Sequence, residues 1–296
     1  MYSVRVGLFV TTFVLGQCRA ISTTMPQQIV RTTLANAEDF RSNLNGYLTP
    51  NSKLALFLDY DGTLAAIADH PDFTKMSEET ESTLRRLTKN PNIFVAVISG
   101  RGLGDIKSKV RLENITYGGN HGYEIQNADG SRSDFQLPQE VKDNYSKMVA
   151  EMTKRFSIEG AWVEDKKVSL TFHYRDAAAN ITPELLRNVT KTIESYGFRA
   201  NQAISAIEAK PPINWNKGEA ALLLLRKNFG EDWKHAIKTI AVGDDTTDED
   251  LMKICKGVGK SFRVSTDGEI QTNAEFRLPS TKEVTLLLKW IEEQYN

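Results

Sequence analysis

The stretch Leu54-Ala-Leu-Phe-Leu-Asp-Tyr-Asp-Gly-Thr-Leu64 constrains this chain more than any other. A short, unbroken apolar run that stops at a turn signal reads as a strand buried on both faces, the kind found in parallel sheets. In open α/β sheets, ligands bind beyond the carboxyl ends of the strands. Asp59 and Asp61 stand at that edge, and Gly62 can bend the chain away from it. The bland alternative is a strand-end turn with a capping Asp. A calcium hand is a sharper rival, but Gly62 comes too early and His70 stands where a bidentate Glu is needed.

Ile93-Phe-Val-Ala-Val-Ile98 predicts a second buried strand, ending in Ser99-Gly100-Arg101. Between the two strands, Ser77 is placed to cap a helix whose first turn carries Glu78 and Glu79 and whose buried stripe includes Leu84 and Leu87. Strand, helix and strand at this spacing form a right-handed βαβ unit, so Ser99 emerges at the same edge as Asp59. Thr239-Ile-Ala-Val242 repeats the pattern and runs into Gly243-Asp-Asp-Thr-Thr-Asp-Glu-Asp250. Lys217 opens an apolar helix that continues through Leu225. The last helix carries a capping-box signature at Ser280 and Glu283 and the stripe Val284, Leu287, Leu288 and Ile291.

From about Pro138 to Ile207 the pattern changes to helix, two strands, helix and two further strands. That predicts an α+β module inserted into the α/β chain, a cap over the site. Within it, Trp162, Phe172 and Tyr174 are expected to fill the cap's own core. The expected fold class is α/β, a Rossmann-like parallel-sheet core over 51–137 and 209–296 with the α+β cap over 138–208. Residues 21–50 form an N-terminal extension covering the core's edge.

Residues 1–20 stand apart: Arg5 precedes an apolar stretch, Val6 to Leu15, and Gln17-Cys18-Arg19-Ala20 offers a small residue for cleavage. This is the layout of a secretory signal peptide, with an uncleaved anchor or a disordered leader as alternatives. The expected location is the secretory pathway, or the cytoplasm if the leader does not function. Cleavage would remove Cys18 and leave Cys255 alone, so no internal disulfide is expected. Asn-X-Ser/Thr tripeptides at Asn114, Asn144, Asn180 and Asn188 fit that route. The formal net charge of −1 gives no electrostatic case for nucleic acid or an acidic membrane. After cleavage no stable membrane span is expected.

Asp59 and Asp61, Ser99, Lys217, and the acids Asp244, Asp245 and Asp248 thus form one constellation, and phosphate-ester hydrolysis uses those parts. A carboxylate nucleophile splits the reaction in two. A second carboxyl group moves the proton. Clustered acids suit Mg²⁺, and a Lys and a Ser spread phosphoryl charge. Taken singly, each has a bland reading: Ser99 a turn hydroxyl, Lys217 a surface charge, the acidic run a solvated helix cap. No nucleophile-elbow pattern surrounds Ser99.

Asp59-Tyr-Asp-Gly-Thr-Leu, Val97-Ile-Ser-Gly-Arg101, Asn216-Lys-Gly218 and Gly243-Asp-Asp-Thr-Thr-Asp-Glu249 resemble the four ordered motifs of the haloacid-dehalogenase-like hydrolases. Asn120-His-Gly122, Glu164-Asp-Lys166, Ser169 to Arg175 and Glu208-Ala-Lys-Pro211 look most like the trehalose-6-phosphate phosphatase family. The resemblance implies Asp59 as nucleophile and Asp61 as general acid/base. It implies Mg²⁺ held by Asp59, the Asp61 carbonyl and Asp244, with Asp245 and Asp248 in support. Ser99 and Lys217 would grip the phosphate, and Arg101, Asn120, His121, Glu164, Lys166 and Glu208 the sugar. Lys210 departs from the family, where many relatives carry Arg, and a Lys lacks the planar fork. The implied activity is hydrolysis of trehalose 6-phosphate. Alternatives are a phosphatase for another sugar phosphate such as sucrose phosphate, a related phosphomutase, or a secreted carbohydrate-binding protein on the same scaffold.

Overall fold

The computed structural model describes residues 28–30, 32–203 and 205–295, the side chains of 178–180 excepted. The proposed leader and its Cys18 lie outside the described residues. In chain order the elements begin with β1 (Gln28–Ile29), α1 (Ala37–Leu44), β2 (Leu54–Leu58), α2 (Glu78–Leu87), β3 (Ile93–Ile98), α3 (Leu103–Val110), β4 (Thr116–Gly119) and β5 (Glu124–Gln126). Next come α4 (Gln139–Phe156), β6 (Trp162–Asp165), β7 (Leu170–His173), α5 (Pro183–Ser195), β8 (Arg199–Ala203) and β9 (Ala206–Lys210). The chain closes with α6 (Lys217–Phe229), α7 (Trp233–Ala236), β10 (Lys238–Gly243), α8 (Glu249–Cys255), β11 (Lys260–Val264), β12 (Gln271–Thr272), β13 (Phe276–Leu278) and α9 (Thr281–Glu293).

A seven-stranded sheet with the order β13-β11-β10-β2-β3-β4-β5 forms the core. Every pairing in it is parallel except β4 with β5. All five residues of β2 are buried, because the pleat sends alternate side chains into two separate apolar layers. Leu54, Leu56 and Leu58 join Leu84, Ile106 and Leu287 on one face. Ala55 and Phe57 join Leu224, Trp233 and Leu251 on the other. Burying each of those β2 leucines contributes about 1.5–3 kcal/mol. The result is an α/β/α sandwich with β2 central and its carboxyl end between those of β10 and β3.

Ser77 caps α2 as expected, its Oγ accepting from Thr80 N at 3.0 Å. At α9 the expected reciprocal capping box is replaced by a different arrangement. Ser280 Oγ accepts from Lys282 N at 3.2 Å and lies 2.7 Å from the Glu283 carboxylate. Along the β13 edge, Arg277 N donates to Thr32 O, and Leu34 N donates to Arg277 O, both at 2.9 Å. Phe40 and Leu44 of α1 enter the core. Among the described residues, no helix is long and apolar enough to cross a membrane.

The segment between β5 and α6 forms a second, antiparallel sheet with the order β6-β7-β9-β8. Helices α4 and α5 cover one face, where Met148, Met152, Phe156, Phe172, Val189, Ile193 and Ile207 cluster. The expected place of Trp162 in that cluster is wrong. Phe172 is fully buried there and Tyr174 packs at its margin, but Trp162 is 49% exposed on the opposite face. Register explains the difference: Val163 pairs with Phe172, so Trp162 pairs with His173 and points the other way.

Candidate active site

The strand order brings the predicted acids together. Asp59 follows β2, Ser99 follows β3, and Asp244 follows Gly243 at the end of β10, so all three leave one sheet edge. Asp59 N donates to Val242 O at 3.0 Å, which fixes the first motif against the β10 strand. The chain then turns back: Gly62 N donates to Ala65 O at 2.7 Å, while Leu64 and Ala65 N–H groups converge on Tyr60 O. Gly62 has φ +75°, and a Cβ there would sit 2.1 Å from Asp244 Oδ2. Only glycine permits both that turn and that approach.

Asp59, Asp244 and Asp248 each present a carboxylate oxygen, all within 4.8 Å of one another. Lys217, the first residue of α6 beyond its Asn216 cap, enters from the side. Its Nζ lies 2.6 Å from Asp59 Oδ1 and 2.7 Å from Asp248 Oδ1, and all three side chains are buried. Burial pushes Asp59 well up, because desolvation and the charges of Asp248 and Asp244 outweigh the help of Lys217. Burial also opposes the Lys217 charge, yet Asp248 and Asp59 outweigh it and hold the ammonium protonated. Asp244 is pushed up to about 6, by burial first and Asp248 next.

With all three carboxylates ionised, one ammonium leaves two negative charges uncompensated, and every metal-binding atom offered is an oxygen. That donor set suits a hard divalent cation such as Mg²⁺. A folded-state pKa above the ordinary 3.8 means that ionised Asp244 destabilises the metal-free protein. The penalty is absent below about pH 4 and complete above about pH 6. Metal-free Asp244→Asn is therefore expected to be more stable than wild type at pH 7.5, by on the order of 2–3 kcal/mol. The gap should close on acidification. Thermal melts with chelator across pH 4–8 check this, and added Mg²⁺ should stabilise the wild type alone.

The remaining predicted residues divide. Ser99 is buried, and its Oγ accepts from Arg101 N at 3.2 Å. Asp245 is corrected: it is exposed, and its Oδ1 caps Thr246 N at 2.6 Å instead of joining the acid cluster. The Asp61 carboxylate faces Arg101, with Nε to Oδ2 at 2.7 Å and Nη2 to Oδ1 at 2.8 Å. Arg101, expected at the sugar, is instead committed to the core. It also bonds Asp105, Pro71 O and Thr74. Asn120 is likewise fully occupied: its Nδ2 donates to Glu124 and Lys166 O, each at 2.7 Å, and its Oδ1 accepts from Ser169 Oγ. It ties core to cap rather than offering a free amide to a ligand.

His121, Glu208 and Lys210 meet between the two sheets. His121 Nε2 lies 3.5 Å from Glu208 Oε1 and 3.2 Å from Lys210 Nζ, and Lys210 reaches Glu208 Oε2 at 3.0 Å. Burial lowers His121. Burial alone would raise Glu208, but His121, Lys210 and Lys166 hold it well below the usual carboxylate range. Glu164 is lowered in the same way, against burial, by His173 at 2.8 Å and by Lys166 at 3.7 Å. A cavity of about 300 Å³ opens between cap and core, lined in part by His121, Asn201, Lys210, Lys217 and Thr246.

Sequence reasoning missed the support behind the acids. Glu249 is buried and accepts from Arg263 Nη1 at 3.1 Å, Thr272 Oγ1 at 2.7 Å and Asn273 N at 2.7 Å. Arg263 also donates to the Asp245 carbonyl, which pins the loop carrying Asp244 and Asp248. The available signal was a charged residue in the otherwise apolar run around Phe262 and Val264.

Comparison with known proteins agrees with this architecture. Residues 57–282 match the trehalose-phosphatase family model. A probable trehalose-phosphate phosphatase 2 from Oryza sativa subsp. japonica is 33% identical, over 83% of this chain and 71% of its own length. A probable trehalose-phosphate phosphatase E from Arabidopsis thaliana is 32% identical, over 81% of this chain and 70% of its own. The solved C-terminal domain of a C. albicans trehalose-6-phosphate phosphatase shares the fold, with a TM-score of 0.65 over 88% of this chain and 98% of that one at 22% identity. The chain belongs to the trehalose-phosphatase family of phosphoric monoester hydrolases.

Proposed function

We propose that this chain hydrolyses trehalose 6-phosphate to trehalose and phosphate, with Mg²⁺, through an aspartyl-phosphate. The observation that carries the reading is the juxtaposition of a buried Asp59–Lys217–Asp248 cluster with a polar cap-sheet face. The first supplies phosphoryl chemistry and the second supplies sugar recognition. The family and the rice relative's name support the choice of sugar.

Asp59 attacks phosphorus, and the bond from phosphorus to the sugar oxygen breaks as Asp61 gives that oxygen its proton. Water then attacks the phosphorus of the acyl phosphate and passes its proton to Asp61, while the bond to Asp59 breaks and the carboxylate is restored. Lys217 and Ser99 stabilise the equatorial phosphoryl oxygens. Mg²⁺, held by Asp59, the Asp61 carbonyl, Asp244 and Asp248, would neutralise phosphoryl charge and orient the phosphate. Arg101 releases Asp61 for its proton transfers only if their bidentate pair opens as substrate enters. Glu208, Lys210 and His121 meet sugar hydroxyls, which favour mixed donors and acceptors.

Phosphate release from trehalose, sucrose, glucose and mannose 6-phosphates tests this. Trehalose 6-phosphate is expected to give the highest kcat/KM, with activity lost to chelator and restored by Mg²⁺. A folded, Mg²⁺-loaded protein that hydrolyses none of them contradicts the reading. A secretory location is part of the same proposal, and the N-terminal sequence of exported protein decides it: a start near Ile21 supports cleavage, and a start at Met1 opposes it.

A further inference from the structure

The open face of the cap sheet is ordered into three rows by strand register. Lys210 and Arg199 form the row nearest the core site. Glu164, Thr171, Glu208 and Asn201 form the next, and Trp162, His173, Ala206 and Ala203 the outermost. Both ends of this face are tied to the core, by Asn120 to Lys166 O and Ser169 at one end and by Arg175 to the Asp69 carbonyl at the other. The face therefore lies over the core, and the cavity beside the phosphate chemistry is lined on this face by Arg199, Asn201 and Lys210.

The outermost row is unlike the others. Trp162 is 49% exposed, yet its ring is ordered: it stacks on His173 with centroids 4.4 Å apart and planes at 22°. His173 is in turn held by Glu164, Nε2 to Oε2 at 2.8 Å. In this row Ala206 and Ala203 lie beyond His173, so the free face of Trp162 is the one turned to the β6 edge of the sheet. The Thr171 hydroxyl in the middle row is buried with no hydrogen-bond partner. Leaving a large aromatic in water forgoes burial that α4 and α5 provide on the other face.

We propose that Trp162, backed by His173, is a stacking platform for the second, unphosphorylated pyranose of a disaccharide phosphate. A pyranose ring has an apolar C–H face that packs on an aromatic plane and a hydroxyl edge that takes hydrogen bonds. The platform supplies the plane, and Glu164, two residues along the same strand and on the same face, supplies a partner for the edge. Rows two residues apart along a strand are separated by about 6.6 Å, comparable to the offset of adjacent rings in a disaccharide. Trp162 thus selects a disaccharide phosphate over a monosaccharide phosphate while standing well away from the reacting phosphorus.

This inference rests on the proposed activity, and kinetics separate the two. In the full-length Mg²⁺-loaded enzyme, Trp162→Ala should lower the ratio of kcat/KM for trehalose 6-phosphate over glucose 6-phosphate about tenfold, corresponding to about 1.4 kcal/mol. The loss should lie in KM. Trp162→Tyr should keep the ratio within about twofold of wild type, because a phenol ring still offers a plane. Tryptophan emission of the wild type should change on adding trehalose, and that change should vanish in Trp162→Tyr. An unchanged ratio in Trp162→Ala, or a fall carried by kcat alone, overturns the platform. A wild-type enzyme inactive on trehalose 6-phosphate overturns the functional reading itself.

Discussion

Asp59→Asn reduces phosphate release from trehalose 6-phosphate by at least about four orders of magnitude, since an amide is no phosphoryl acceptor and the remaining groups act only in concert with the nucleophile. The fold should survive. Asp59 is buried at the sheet edge, where burial and the neighbouring Asp248 and Asp244 already disfavour its charge. Removing that charge relieves a desolvation cost, although Lys217 retains Asp248 as partner at 2.7 Å. Unchanged circular dichroism and a melting temperature near or above that of the metal-free wild type are the expected accompaniments. Activity within tenfold of wild type would remove Asp59 from the nucleophile's role.

The second large effect lies at Lys217, whose ammonium is shared by Asp59 and Asp248 with no solvent to replace it. Lys217→Met leaves two buried carboxylates without their cation, and breaking a buried pair from one side costs about 3–5 kcal/mol. In metal-free protein this loss should appear as a lower chemical-denaturation midpoint at pH 7.5. Mg²⁺ should recover part of the stability, because a divalent ion can reach the same oxygens. Turnover should stay at least about a thousandfold down even then, because the phosphoryl group has lost its fixed cation. Lys217→Arg should not rescue it, since the planar guanidinium cannot converge on two carboxylates from a point. Full activity in Lys217→Arg would show that any positive charge suffices there.

What the chain revealed before folding follows from how its information is distributed. The strands β2, β3 and β10 were legible because an unbroken apolar run has one compact solution, burial on both faces. Their parallel spacing then placed Asp59, Ser99 and Asp244 at one edge. The strand β11 was illegible because Lys260 and Arg263 interrupt its apolar pattern, and Arg263 is acceptable there only through Glu249, whose position is fixed by the fold. Arg101 was misread for a similar reason. Its carboxylate partner Asp61 lies 40 residues away, and no local pattern announces a bidentate pair across that distance. Asp245 is not distinguishable from Asp244 by type or spacing; the fold separates them, with Asp244 in the cluster and Asp245 capping the turn. Trp162 depended on a single step of register, since a one-residue slip moves it from the cap's core to its open face.

The central claim, a phosphoryl group carried by Asp59, is open to direct chemical capture. Borohydride reduces an acyl phosphate to the alcohol, converting a phosphorylated aspartate to homoserine while leaving free carboxylates untouched. Full-length protein quenched during turnover of trehalose 6-phosphate with Mg²⁺, reduced and analysed by peptide mass spectrometry should carry homoserine at position 59, and none when substrate is omitted. Intact Asp59 throughout turnover, with the modification on another residue or on none, would contradict the account.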